Sequence, residues 1–94
     1  MTASKHDEDY QLLLKLLKET RKERKVMQTD LAGRLGTTQA FISKVESGDR
    51  RLDTIELIEL IEALGVSADA WLKKFLQHRQ AAHNKRAVKL KISL

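Results

Sequence analysis

Residues Gln28–Gly48 read QTDLAGRLGTTQAFISKVESG, and the spacing within this stretch decides the fold. Leu31, Ala32 and Leu35 fall on one helical face. Gly36 then breaks the helix, Thr37-Thr38 opens another, and Ile42 and Val45 form the next apolar stripe. The spacing predicts helices over roughly Gln28–Leu35 and Gln39–Glu46, joined by a tight glycine turn. Two short helices joined in this way make a helix-turn-helix, whose second helix lies in the major groove of DNA.

Apolar periodicity continues on both sides. Tyr10, Leu13, Leu14 and Leu17 predict a first helix over about Asp9–Arg24, with Leu12 and Leu16 on an adjoining face. Asp53 is a natural N-cap for a fourth helix with Leu57, Ile58, Ile61 and Leu64 inward, ended by Gly65. Ser67 caps a fifth, with Asp69 against its N-terminal dipole and Trp71, Leu72 and Phe75 on the inner face. Proline is absent and the connections are short, so the expected fold is an all-α, five-helix bundle. Residues 1–8 read as a flexible lead-in, 9–79 as the bundle and 80–94 as a basic tail. In that tail Val88, Leu90, Ile92 and Leu94 alternate with Lys89, Lys91 and Ser93, a strand period. The expectation is either a short strand pairing with its counterpart in a second subunit, or a disordered basic terminus.

Ninety-four residues make one small domain, for which dimerisation or ligand binding would supply welcome stability. With no cysteine there are no disulfides, thiolate metal sites or cysteine nucleophiles. No apolar run approaches membrane-spanning length, and the start MTASKHDEDY is too acidic for a signal peptide, so the expected location is cytoplasmic. The net charge of +5 is segregated. Asp53–Ala70 holds five acids and no base, whereas Trp71 to the end holds seven bases and no acid. Such a field steers a polyanion onto one side of a protein.

Gln39, Ile42, Ser43, Glu46 and Gly48 fall in register behind Gln28, and on these residues the chain resembles the lambdoid phage repressor and Cro family, also called the Xre family of bacterial regulators. The likeness runs from about Leu14 to Phe75, with Gln39–Gly48 its most diagnostic string. It implies a lambda-repressor-like bundle that binds double-stranded DNA as a dimer, in a bacterial or phage setting close to the nucleoid. It also implies that Gln28 contacts the DNA backbone and that Gln39 reads a base. Free amides at the second helix's start suit a phosphate, and a glutamine amide can pair with adenine N6 and N7. Thr38 is the expected N-cap of the third helix, with or without a DNA contact of its own. Ala40 offers a methyl group, Ser43 and Lys44 stand one turn further along the outer face, and Lys44 can reach a guanine edge or a phosphate. Arg50 and Arg51 sit in a loop able to follow a phosphate strand, while Arg34, Lys22 and Lys25 are weaker rim candidates. Phe41 lies between groove face and bundle, open to either role.

The resemblance further implies a structural pair, Arg21 of the first helix with Glu46 at the end of the third. A bidentate contact there would pin the recognition helix at a fixed angle. Three positions depart from the family's pattern. Met27 stands where a Ser or Thr cap is usual, Lys25 where glycine is frequent, and Thr20 where an aliphatic residue is usual.

Enzymatic readings find little support. His6, His78 and His83 are scattered, no phosphate-binding glycine loop appears, and Glu56, Glu59 and Glu62 have the spacing of a solvated helix face. No metal, cofactor or small-molecule effector is expected. The leading reading is a sequence-specific transcriptional regulator, a repressor acting as a dimer on a two-fold operator. The alternatives are an antitoxin or restriction-modification controller of the same fold, or a protein–protein adaptor that has lost DNA binding.

Overall fold

The computed structural model describes the backbone of residues 7–93 and the side chains of residues 7–85. Five helices follow in order: α1 Glu8–Glu23, α2 Gln28–Leu35, α3 Gln39–Ser47, α4 Thr54–Ala63 and α5 Ala68–Ser93. Helices α1, α3 and α4 begin on a side chain that accepts free backbone amides. At α1 the Asp7 carboxylate accepts from the N–H groups of Asp9 at 2.9 Å and Tyr10 at 3.2 Å. Residues 7 and 8 thus open the first helix instead of belonging to a lead-in, whose remainder, residues 1–6, lies outside the described residues. At α4 the Asp53 carboxylate accepts from Glu56 N–H at 2.7 Å, and the Glu56 carboxylate accepts in return from Asp53 N–H at 2.9 Å.

The departure at Met27 has a local answer, and the one at Lys25 is met by strain. Met27 has no hydroxyl to cap α2, and the Asp30 carboxylate reaches back to accept its N–H at 3.2 Å. Lys25 holds φ at 59°, a left-handed backbone that costs a non-glycine residue roughly 1–2 kcal/mol. Gly36, the turn between α2 and α3, has φ 67° and open space around the position a Cβ would take. Glycine is needed there for the backbone angle alone.

The core is Leu14, Leu16 and Leu17 of α1, Val26 of the following turn, Leu31 and Ala32 of α2, Ile42 and Val45 of α3, Leu60, Ile61 and Leu64 around α4, and Trp71 and Phe75 of α5. The expected inward stripe of α4 was Leu57, Ile58, Ile61 and Leu64. Its buried side is rotated, so that Leu60 is in the core and Leu57 and Ile58 are only partly covered. Thr20 is buried and fully used. Its hydroxyl donates to Leu16 O at 2.8 Å and accepts from Trp71 Nε1 at 2.9 Å, tying α5 to α1. Among the described residues no buried polar side-chain atom lacks a partner.

The last turn of α4 carries no base, and two arginines from other elements serve its carbonyls. Arg24 donates from Nε to Leu64 O at 3.0 Å and from Nη2 to Gly65 O at 3.3 Å, and Arg34 donates from Nη1 to Ala63 O at 2.8 Å. Arg34, a weak rim candidate in the sequence, is thereby spent on a helix terminus.

The strand expected over Val88–Leu94 is not formed among the described residues. Residues 88–93 continue α5, whose 26 residues give a helix about 39 Å long; Leu94 lies outside the described residues. A strand leaves its backbone groups unpaired until a partner arrives, whereas a helix satisfies them within itself. No glycine or proline interrupts Ala68–Ser93, and Ala81, Ala82, Lys85, Arg86, Ala87, Lys89 and Leu90 all favour helix. A short alternation of apolar and basic residues does not outweigh that preference. The helix runs unbroken through the expected boundary between residues 79 and 80.

Candidate nucleic-acid interface

α3 divides its residues by face. Ile42 and Val45 are buried against the bundle, and Gln39, Ala40, Ser43 and Lys44 are exposed together on the opposite side. Thr38 caps the helix by accepting Phe41 N–H on Oγ1 at 3.1 Å. Gly48, with φ 87°, closes it.

The helix is anchored from below. Arg21 donates from Nε to Glu46 Oε2 at 2.6 Å and from Nη2 to Glu46 Oε1 at 3.1 Å, with each side chain only 10% exposed. Its remaining arm, Nη1, donates to Val26 O at 2.9 Å, so the same guanidinium holds α1, the α1–α2 turn and α3. Glu46 also accepts from Gln28 Nε2 at 2.9 Å, and Gln28 Oε1 in turn accepts from Gln39 Nε2 at 2.7 Å. A single chain of hydrogen bonds therefore runs from the bundle interior to the exposed tip of α3. It fixes the sense of each amide. Gln28 presents its oxygen to Gln39, and Gln39 contributes one of its two N–H donors to that bond. Arg21, Met27, Gln28, Thr29 and Gln39 line an open depression over the N-terminus of α2, where helix amides favour an anion.

The loop after α3 is organised by its own contacts. Arg50 N–H bonds to Lys44 O at 3.0 Å, folding the loop back on the last turn of α3. The Arg50 guanidinium donates to Glu56 at 2.7 Å from Nη2 and 3.2 Å from Nη1, donates also to Arg51 O, and lies 5.1 Å from the Phe41 ring centroid. Arg51 stacks over Tyr10, 3.9 Å from its centroid, and the Tyr10 hydroxyl accepts Leu52 N–H at 3.1 Å. The Glu56 carboxyl is held below the usual carboxylate value, chiefly by Asp53 N–H and then by Arg50. Phe41 is half-buried, its ring facing the arginine rather than being lost in the core.

The Helix-turn-helix family model matches residues 17–71. The solved structure of an XRE-family like protein from Pseudomonas syringae pv. tomato str. DC3000 aligns with a TM-score of 0.74 at 41% sequence identity, covering 78% of this chain and 89% of that one. The chain belongs to the XRE family. It is a DNA-binding regulator of that family, and double-stranded DNA is its partner. A comparison with curated proteins finds no match.

In this XRE-family regulator Gln39, Ala40, Ser43 and Lys44 share the exposed side of α3, Gln28 is bonded to Gln39, Thr38 caps the helix, and Arg21 and Glu46 pair beneath it. Arg50 and Arg51 lie alongside, each engaged with an aromatic ring of its own chain. Sequence reasoning overlooked Thr29, which shares the depression with Gln28 and Gln39 and is legible only as a hydroxyl in the first turn of α2. It also overlooked Glu56 and Tyr10 as holders of the loop arginines. Their spacing along the chain carries no signal, because the pairings depend on how the loop turns.

Proposed function

We propose that this XRE-family regulator is a repressor that binds a two-fold operator as a homodimer, with α3 of each subunit in the major groove. The observation that carries the reading is the bond from Gln39 Nε2 to Gln28 Oε1, itself held by Glu46. It presents a base-reading amide in a fixed orientation before DNA arrives, so little ordering is left to the binding step. Gln39 reads a base edge, with Ala40, Ser43 and Lys44 completing the groove face. Gln28 and Thr38 at the two helix starts, with Arg50 and Arg51 in the loop, contact phosphates. Exposed Ile55 and Leu76, 65% and 56% accessible, supply apolar surface for a second subunit. The protein works where the chromosome lies, in the cytoplasm.

Selection of bound sequences from a random DNA pool tests the reading. The expected product is an inverted repeat whose half-sites lie one helical turn, about 34 Å, apart. A single asymmetric site would overturn the dimer. On the selected site Gln39→Ala should cost roughly 1–3 kcal/mol and relax preference at one base pair. Equal losses on selected and random duplex would show that Gln39 reads no base.

A further inference from the structure

Arg50, the loop cation nearest α3, is already engaged in the unbound protein. Its fork is closed on Glu56 at 2.7 and 3.2 Å, one arm also reaches Arg51 O, and Phe41 supports the guanidinium from the side of α3. Carboxylate and phosphate present the same kind of bidentate acceptor to a guanidinium. We infer that Glu56 is an internal competitor of the DNA backbone, holding Arg50 as a phosphate would and giving it up when DNA binds. The inference rests on reading Arg50 as a phosphate contact.

Two observations and one electrostatic argument favour competition over simple positioning. The pair is accessible, with side chains 43% and 30% exposed, so an incoming phosphate can exchange with the carboxylate. Keeping Glu56 in place would put two anions on one cation, and a guanidinium already neutralised displaces less of the counterion atmosphere. Glu56 also has a second task independent of Arg50, accepting Asp53 N–H at 2.9 Å, so its carboxylate stays in place when the arginine leaves. The Phe41 ring keeps the released guanidinium beside the first turn of α3.

Glu56→Gln separates the two tasks, because glutamine serves the helix cap equally well and lacks only the charge. Glu59→Gln is the control, since it removes one charge from the same helix and the same cleft without touching the fork. Affinity for a mixed-sequence duplex is measured across a salt series for the wild type, Glu56→Gln, Glu59→Gln, Arg50→Ala and the Arg50→Ala/Glu56→Gln double variant, with a melting curve for each. Glu56→Gln should bind about two- to fivefold more tightly than Glu59→Gln, with a salt slope steeper by up to about 0.9. Arg50→Ala should cost more affinity in the Glu56→Gln background than in the wild type. Equal affinities for the two glutamine variants, or equal Arg50→Ala losses in both backgrounds, would overturn the competition and leave the phosphate contact standing. Weaker binding by Glu56→Gln would replace competition with positioning. An Arg50→Ala loss in neither background would remove Arg50 from the interface and take the inference with it.

Discussion

Two arginine–glutamate forks are built into this small domain, and they differ in almost everything except their chemistry. Arg21–Glu46 joins α1 to α3 across 25 residues, is 10% exposed on both sides, and has its spare donor and acceptor positions filled by Val26 O and Gln28. Arg50–Glu56 spans six residues and is 43% and 30% exposed. The closest contacts are nearly the same, 2.6 and 2.7 Å. Burial makes the difference. A charge pair removed from water cannot lose one member without stranding the other, whereas an exposed pair has water and salt ions as ready substitutes. The buried fork is therefore a fixture of the recognition helix, and the exposed one is an exchangeable contact.

The sharpest way to break this comparison is Arg21→Met, which leaves the Glu46 carboxylate near the core without its counter-charge. The expected loss is roughly 3 kcal/mol, which in a domain of this size lowers the melting temperature by about 10 °C or more. Glu59→Gln and Glu56→Gln should melt much closer to the wild type. Matching calorimetric midpoints for all three would mean that the buried fork is idle.

A second buried polar contact extends the test to a neutral pair. Thr20→Val keeps the side chain's shape while stripping the Trp71 indole N–H of its acceptor. An unsatisfied buried donor costs about 1–3 kcal/mol, so this variant should fall between Arg21→Met and the surface substitutions. Trp71 is the only tryptophan in the chain, and its fluorescence reports the change directly. Unaltered emission and stability would show that the indole finds another partner.

The smallest effect belongs to a third, half-buried cluster, in which Asp9 accepts from Arg79 at 2.9 Å and His83 at 3.1 Å. Partial desolvation pushes the Asp9 carboxyl upward, but hydrogen bonds from His83 and Arg79 outweigh it and hold the carboxyl below its usual value of 3.8. A carboxylate with a lowered value in the folded state supports folding above its unfolded value and loses that support as pH falls through the lowered one. Asp9→Asn should thus melt slightly below the wild type at neutral pH, and the two curves should converge in acid. A gap that persists or widens in acid would exclude the charge as its cause.

Much of this architecture is written in local chemistry. The α2–α3 unit was legible because Leu31, Ala32, Leu35, Ile42 and Val45 set two helical faces, and Gly36 alone suits the left-handed turn between them. The exposed row Gln39, Ala40, Ser43 and Lys44 follows from the same spacing, since burying Ile42 and Val45 turns those four outward. Where the local pattern was ambiguous, packing decided. α4 is apolar around much of its circumference, so Leu57 and Ile58 could have served where Leu60 does. The tail alternates like a strand, yet without a partner strand its backbone is better satisfied by extending α5.

What the sequence determined by itself was therefore the first four helices and the start of the fifth, the turn that pairs two of them, and the residues offered outward. Tertiary structure alone decided which side chains meet: Thr20 with Trp71, Arg24 and Arg34 with the end of α4, Gln28 with both Glu46 and Gln39, and Arg50 with Glu56. The physical reason is that helix periodicity arises within a few residues of backbone geometry. A hydrogen bond between distant side chains needs two elements brought to within about 3 Å, and only the packing of the whole bundle sets that distance.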